Sequence, residues 1–202
     1  MYTNVLIVLC LLCLHASMVF SDDYQPPEFC RDSQCPRYQV VETSDDFELR
    51  AYDATRWALT STDPSMDSTP ITQSFKLLAR YIRGSNNKGV NMEMAVPVTV
   101  FIPVNSDSPM NASLAFFLPP ELDIPDPTDP NVFLLFFSET KLYVKSFDGF
   151  AEPIDFFEKA KSLYETLVAQ KKEFEASFYA CNIYDSPYEV VDRHNEVYYV
   201  AI

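Results

Sequence analysis

Two stretches of this chain carry a helical period, residues 69–84 and 153–170, and short runs of β-forming residues flank both. A chain so arranged must lay two helices on a sheet. In the first stretch Thr69 reads as the cap, Pro70 as the first helical residue and Gly84 as the stop. Ile71, Phe75, Leu78 and Ile82 recur at spacings of four, three and four, which puts them on one face. Lys76, Arg80 and Arg83 lie around the others.

Ahead of this helix, Tyr38–Thr43, Phe47–Tyr52 and Arg56–Thr62 are rich in Val, Phe, Tyr and Trp and read as antiparallel strands. Behind it, the run from Asn91 to Pro103 alternates. Met92, Met94, Val96, Val98, Val100 and Ile102 fall on a face predicted to be buried, and Glu93, Ala95, Pro97, Thr99 and Pro103 share the other with Phe101. Proline donates nothing to a ladder, so two of them place this strand at an edge or beside a bulge. After a turn at Pro109-Met110-Asn111, the run Ser113–Leu118 is expected to pair with it.

Residues 119–130 mix five prolines with four acidic residues. They read as a stiff connector that cannot bury itself and that divides the chain in half. Beyond it come strands near Val132–Ser138 and Lys141–Phe147, a helix from about Pro153 to Gln170, and strands near Phe178–Ile183 and Glu196–Ile202. Counting the two nearest strands on either side, each helix has two strands before and two after, which predicts an internal duplication and one curved antiparallel sheet with both helices outside.

The amino terminus obeys different rules. Val5–Leu14 is continuously apolar and short for a membrane span, and Val19 and Ser21 suit the positions three and one before a cleavage site. Residues 1–21 therefore read as a secretory signal peptide, residues 22–37 as an extended leader containing Pro26, Pro27 and Pro36, and residues 38–202 as the folded domain. The exported chain would keep the whole formal charge of −14, which opposes nucleic acid and anionic membrane surfaces as partners.

Export also permits disulfides. Cys30, Cys35 and Cys181 remain after cleavage; Cys30 and Cys35 can close a small loop, but three pairings exist and spacing does not choose among them. The sequon Asn111-Ala112-Ser113 is compatible with glycosylation at Asn111. Three scattered cysteines and one histidine outside the signal peptide lack zinc-ligand spacing. Gly84, Gly89 and Gly149 are the only glycines and none belongs to a phosphate-cradling loop, nor does Gly-x-Ser-x-Gly occur, so an enzyme is disfavoured.

The ordered set "FELRAY", "RWALTS", "LLARYIRGSNNKGVNMEM", "MAVPVTVF", "VKSFDGFA" and "YDSPYEVVDRHNEVYYV" resembles the SOUL haem-binding protein family from about Tyr38 to Ile202. Val96 stands where that family more often has alanine, and Tyr198 where tryptophan is usual. The resemblance implies an α+β fold, a distorted antiparallel β-barrel with two flanking helices and pseudo-duplicated halves. It also implies a non-catalytic carrier or buffer of haem or a related porphyrin, here outside the cell.

Haem requires an apolar slot, cations for its propionates and, for tight iron binding, an axial ligand. Lys76, Arg80 and Arg83 are the best source of cations, so the helix between Ile71 and Arg83 is expected to wall any haem pocket. Met92 and Met94 offer a pocket wall or a thioether, although methionine also fills cores. His194, in the polar run Asp192-Arg193-His194-Asn195 that reads as a turn, is the candidate iron ligand or else an exposed turn residue. The alternative reading is a secreted interaction domain on the same barrel, binding a protein or another small apolar ligand.

Overall fold

The computed structural model describes residues 24–105 and 111–202. The expected signal peptide, and Pro109 and Met110 of the expected turn, lie outside the described residues. The strands are β1 (Tyr38–Thr43), β2 (Glu48–Tyr52), β3 (Thr55–Ser61), β4 (Val98–Pro103), β5 (Ser113–Leu118), β6 (Phe133–Phe137), β7 (Thr140–Asp148), β8 (Phe178–Ile183) and β9 (His194–Val200). The helix α1 (Ser68–Ile82) separates β3 from β4, and α2 (Pro153–Ala169) separates β7 from β8.

All nine strands pair antiparallel in one sheet of order β1-β2-β7-β9-β8-β4-β5-β3-β6. Leaving β1 aside, the order is symmetric about the β8–β4 junction. Exchanging β2 with β6, β3 with β7, β4 with β8 and β5 with β9 reproduces it in reverse. The duplication expected from the element order is thus present in the topology, and Phe101 opposite Ala180 lies at its centre. The fold is an α+β distorted half-barrel.

Alternation along each strand sorts side chains onto two faces. Val100, Leu114, Phe116, Tyr143, Cys181, Val197 and Tyr199 pack with Leu78, Ile82, Phe156, Leu163 and Leu167 of the helices. α1 lies against β3 and β5, and α2 against β7 and β9. On the opposite face Tyr52, Trp57, Phe101, Phe117, Val144, Phe178 and Tyr198 form a second cluster. Side chains of the wings, Leu142 of β7 and Phe137 of β6, line one cleft there, so that face is the concave inside of the curl.

Four local expectations are corrected. Asp67 caps α1, and Ser68 and Thr69 are helical, so Pro70 is the third residue and not the first. The first intrahelical bond runs from Ile71 N–H to the Asp67 carbonyl, so the missing donor of Pro70 is never needed. The stop is as expected: Gly84 follows α1 with φ +102°, a conformation glycine adopts without strain.

The run from Asn91 to Pro103 is a strand only from Val98 onward. Met92 N–H bonds to the Ile82 carbonyl and Val96 N–H to the Gln34 carbonyl, so the first half ties α1 to the leader and joins no ladder. β4 lies between β5 and β8, not at an edge, and Thr99 and Phe101 are buried as completely as Val100. Its prolines are harmless because one precedes the strand and the other ends it.

The acidic connector is also partly buried, at Pro119 and Pro125, with Ile124 packed against the helix-side core. Tyr81 OH donates to the Pro125 carbonyl at 2.8 Å, Asn87 Nδ2 to Asp126 at 2.9 Å and Thr128 Oγ1 to the Ser85 carbonyl at 3.1 Å. Asn86, itself buried, holds the facing loop by donating to the Tyr81 and Val90 carbonyls. The fourth correction is His194, which opens β9 opposite Asp148 and is not in a turn.

Candidate functional site: two faces of one sheet

On the inner face β9 presents His194, Glu196, Tyr198 and Val200 in alternation, and β2 presents Glu48, Arg50 and Tyr52. A charged network results. Arg50 Nη1 donates to Glu196 Oε1 at 2.7 Å, His194 Nε2 lies 2.9 Å from the same oxygen, and Asn182 Nδ2 and Tyr184 OH reach Oε2 at 3.1 and 2.8 Å. Arg50 Nε donates to Glu48 at 2.7 Å, and its guanidinium lies 4.4 Å from the centre of the Tyr38 ring. Thr99 completes the set by donating to Asn182 Oδ1 at 2.7 Å.

Glu196 is wholly buried and Arg50 nearly so. Burial alone would push the Glu196 carboxyl up, but the His194 hydrogen bond and the Arg50 charge outweigh it and hold the group down at about 2. Burial drives the Tyr184 phenol well above its ordinary value, and the Glu196 charge adds to that effect. A carboxylate that accepts from four partners is held as a structural anion and has no lone pair directed at a substrate.

The leader covers this end of the curl. A short 3-10 turn, Glu28–Cys30, is closed by a Cys30–Cys35 disulfide. It stacks Phe29 on the His194 ring at 3.8 Å between centres, and Arg31 Nε donates to Asp185 at 2.9 Å. Cys181 remains a free thiol, buried on the helix face, and burial drives its pKa upward.

Beside the network opens a cleft whose free space, open side included, is ≈ 600 Å³. Tyr52, Trp57, Phe101, Phe137, Phe178 and Tyr198 line it, with Tyr184 at the network end. Asp53 stands on its rim, and an adjoining hollow shares Pro36, Asp53 and Thr55 with it and adds Arg37 and Glu121.

The helix face offers a different surface. Leu77, Arg80 and Tyr81 of α1 face Thr128, Asp129, Pro130 and Val132 across an open groove of ≈ 290 Å³. Arg80 is exposed and 3.9 Å from Asp129; Lys76 on the same helix and Arg83 at its C-cap are exposed too. The Arg83–Asn91 bridge brings Met92 against the end of α1, where it packs on the helix-side core, while Met94 is exposed.

The structure therefore separates the residues singled out in the sequence. Lys76, Arg80, Arg83 and Met92 gather at α1; His194 lies on the inner face, across the sheet, with its Nε2 committed to Glu196. Sequence reasoning missed Arg50 and Glu196. Their signal is the alternation Glu48-x-Arg50-x-Tyr52 and His194-x-Glu196-x-Tyr198, which sets charge on the same strand face as aromatic residues.

Comparison with known proteins fits this architecture. The SOUL heme-binding protein family matches residues 33–200, and the chain belongs to that family. It is 31% identical over 159 residues to heme-binding protein 2 of Homo sapiens, covering 76% of this chain and 77% of that one. It is 28% identical to heme-binding protein 1 of Mus musculus over 81% of this chain and 90% of that one. Among solved structures, a hydrolase from Listeria innocua superposes with a TM-score of 0.51 at 10% identity, covering 80% of this chain and 94% of that one. The EcmrR C-terminal domain does so at 0.51 and 10%, covering 82% and 98%. At such identity these two likenesses describe the fold alone.

Proposed function

We propose that this protein binds haem or a related tetrapyrrole on the helix face, as an exported, non-catalytic carrier or buffer. Family membership over residues 33–200 carries the reading, because relatives across that span are named for binding heme. The groove beside α1 fits such a group in part. Leu77, Tyr81, Pro130 and Val132 supply apolar contact, and Lys76, Arg80 and Arg83 supply cations for propionates in a chain otherwise strongly acidic.

A bound tetrapyrrole would bring its own iron chemistry. Of the ligand candidates only Met92 lies on this face, where it packs against the core. His194 does not fit the role, since it is across the sheet, stacked on Phe29 and bonded to Glu196. Retention accordingly rests on packing and charge.

The saturated Glu196 network supports a binding role over acid–base chemistry. Export rests on the apolar run Val5–Leu14, with the Cys30–Cys35 disulfide and the exposed Asn111 sequon in agreement with an oxidising route. A protein partner is the second reading, favoured by one feature: α2 leaves Ile154, Phe157 and Val168 more than half exposed along its outer face.

Ferric haem titrated into the signal-cleaved protein tests the first reading. Saturable one-to-one binding is expected, weakened about tenfold when Lys76, Arg80 and Arg83 are all replaced by Gln, because each exposed pair contributes a fraction of a kcal/mol. Binding no tighter than to an unrelated acidic protein would overturn it.

A further inference from the structure

We propose that the outer edge of β6 is a self-association surface, where a second copy of this chain adds its own β6 antiparallel and joins two sheets into one. The first ground is the internal duplication. The exchange that relates the halves maps β2 onto β6, and β1 covers the outer edge of β2. Among the described residues nothing pairs with the outer edge of β6, whose ladder is with β3. The fold thus displays at one wing the element that the other wing lacks: an added antiparallel strand.

The second ground is the contrast between the two edges. β1 is guarded, since a bulge between Val40 and Glu42 shifts its ladder and it carries the Glu42 carboxylate, held by Lys172 at 2.8 Å. Bulges and charges are the devices that keep an exposed edge from pairing with another chain. β6 has neither. Its register with β3 runs unbroken from Phe133 to Phe137, and no charged residue occurs from Pro130 to Ser138. Phe133, Leu134 and Phe136 are 56%, 41% and 63% exposed. An added strand would supply partners to the backbone groups along that edge and cover those side chains at once.

The third ground selects the occupant. Antiparallel pairing of two identical strands is a two-fold operation, so a second β6 offers the first its own surface. Centred on Leu135, the pairing sets Leu135 against Leu135 of the second copy, Phe133 against Phe137 and Leu134 against Phe136, an apolar pair at every position. A stretch without charge gives no ionic preference to a basic or an acidic peptide. The contact occupies the β6 edge of both copies, so the assembly closes at two.

The formal charge of −14 per chain opposes this contact at long range, and salt screens the opposition. The test is sedimentation equilibrium of the signal-cleaved protein, without haem, from micromolar to millimolar concentration. A monomer–dimer equilibrium that tightens as sodium chloride rises is the expected result. Hydrogen exchange should slow at residues 133–137 as the dimer forms, which marks a backbone ladder and not side-chain contact alone.

Phe136→Lys, at an exposed position, puts a charge on the edge and is expected to weaken the dimer about tenfold or more, since the two-fold repeats the lost pair. Phe157→Lys, on the outer face of α2, leaves the dimer unchanged. A monomer at every concentration and salt, association beyond two, or exchange at 133–137 that ignores concentration would each overturn the proposal. So would a dimer indifferent to Phe136→Lys or abolished by Phe157→Lys. Haem is absent throughout, so the carrier reading and this one fail separately.

Discussion

The two faces of the sheet are built from the same strands, a residue apart, yet they are held by different forces. The helix face is a continuous apolar core that reaches Leu163 and Leu167. The inner face holds a wholly buried Glu196, a nearly buried Arg50 and a largely covered His194 among aromatic rings. Apolar packing loses stability in proportion to the volume removed, whereas an ion network fails steeply when one partner is lost and the other charge stays buried. The comparison teaches that the helix side supplies the stability, and that the inner side fixes the position of side chains around a cleft.

The sharpest way to break that contrast is to remove one ion. Glu196→Gln leaves the nearly buried Arg50 with only the more exposed Glu48 as counter-charge, and is expected to cost roughly 3 kcal/mol in urea unfolding, a large share of the stability of a marginal domain. Leu163→Ala on the helix face should cost about 2–5 kcal/mol with an unchanged inner cleft, read by unaltered Trp57 emission. If Glu196→Gln were neutral, the network would be ornamental and the contrast would fail.

Acid titration sharpens the same point. The Glu196 carboxyl is held at about 2, below its ordinary value of 4.5. Its contribution is therefore complete above the ordinary value and is lost as pH falls from about 4.5 towards 2. Wild-type stability should decline across that window more steeply than that of Glu196→Gln, which lacks the group; parallel curves would contradict the assignment.

A smaller effect is expected at the leader. Replacing Cys30 and Cys35 by Ser opens a short loop, at a cost of about 2 kcal/mol or less. Protection of the amides around Phe29 and Arg31 from hydrogen exchange should fall before that of the strands does. Simultaneous loss across both faces would mean that the leader is integral to the core.

Much of the frame was legible in the sequence because its signals are local. The spacing of Ile71, Phe75, Leu78 and Ile82 gave α1 its buried face, Gly84 its end, and the order of elements announced the duplication. What escaped depends on partners far along the chain. Nothing near Thr99 or Phe101 tells that β4 would be covered on both faces, because that follows from β8 and β5 flanking it and from the curl of the whole sheet. Likewise Glu196 reads as one acid among 29 until Arg50 is brought 2.7 Å away by β2–β7–β9 pairing. His194 was visible as a chemical candidate, but its place across the sheet from Lys76, Arg80 and Arg83 was not, since a period of two fixes the face only once the strand's first residue is known.

The central claim is that haem and the charged network occupy opposite faces. Amide signals of the isotope-labelled protein, followed by NMR as ferric haem is added, test this directly through paramagnetic broadening. The account predicts broadening confined to the second half of α1, to residues 83–92 and to residues 128–132, with Tyr52, Trp57 and Tyr198 unaffected. Broadening centred on those three inner-face residues and on His194 would contradict it.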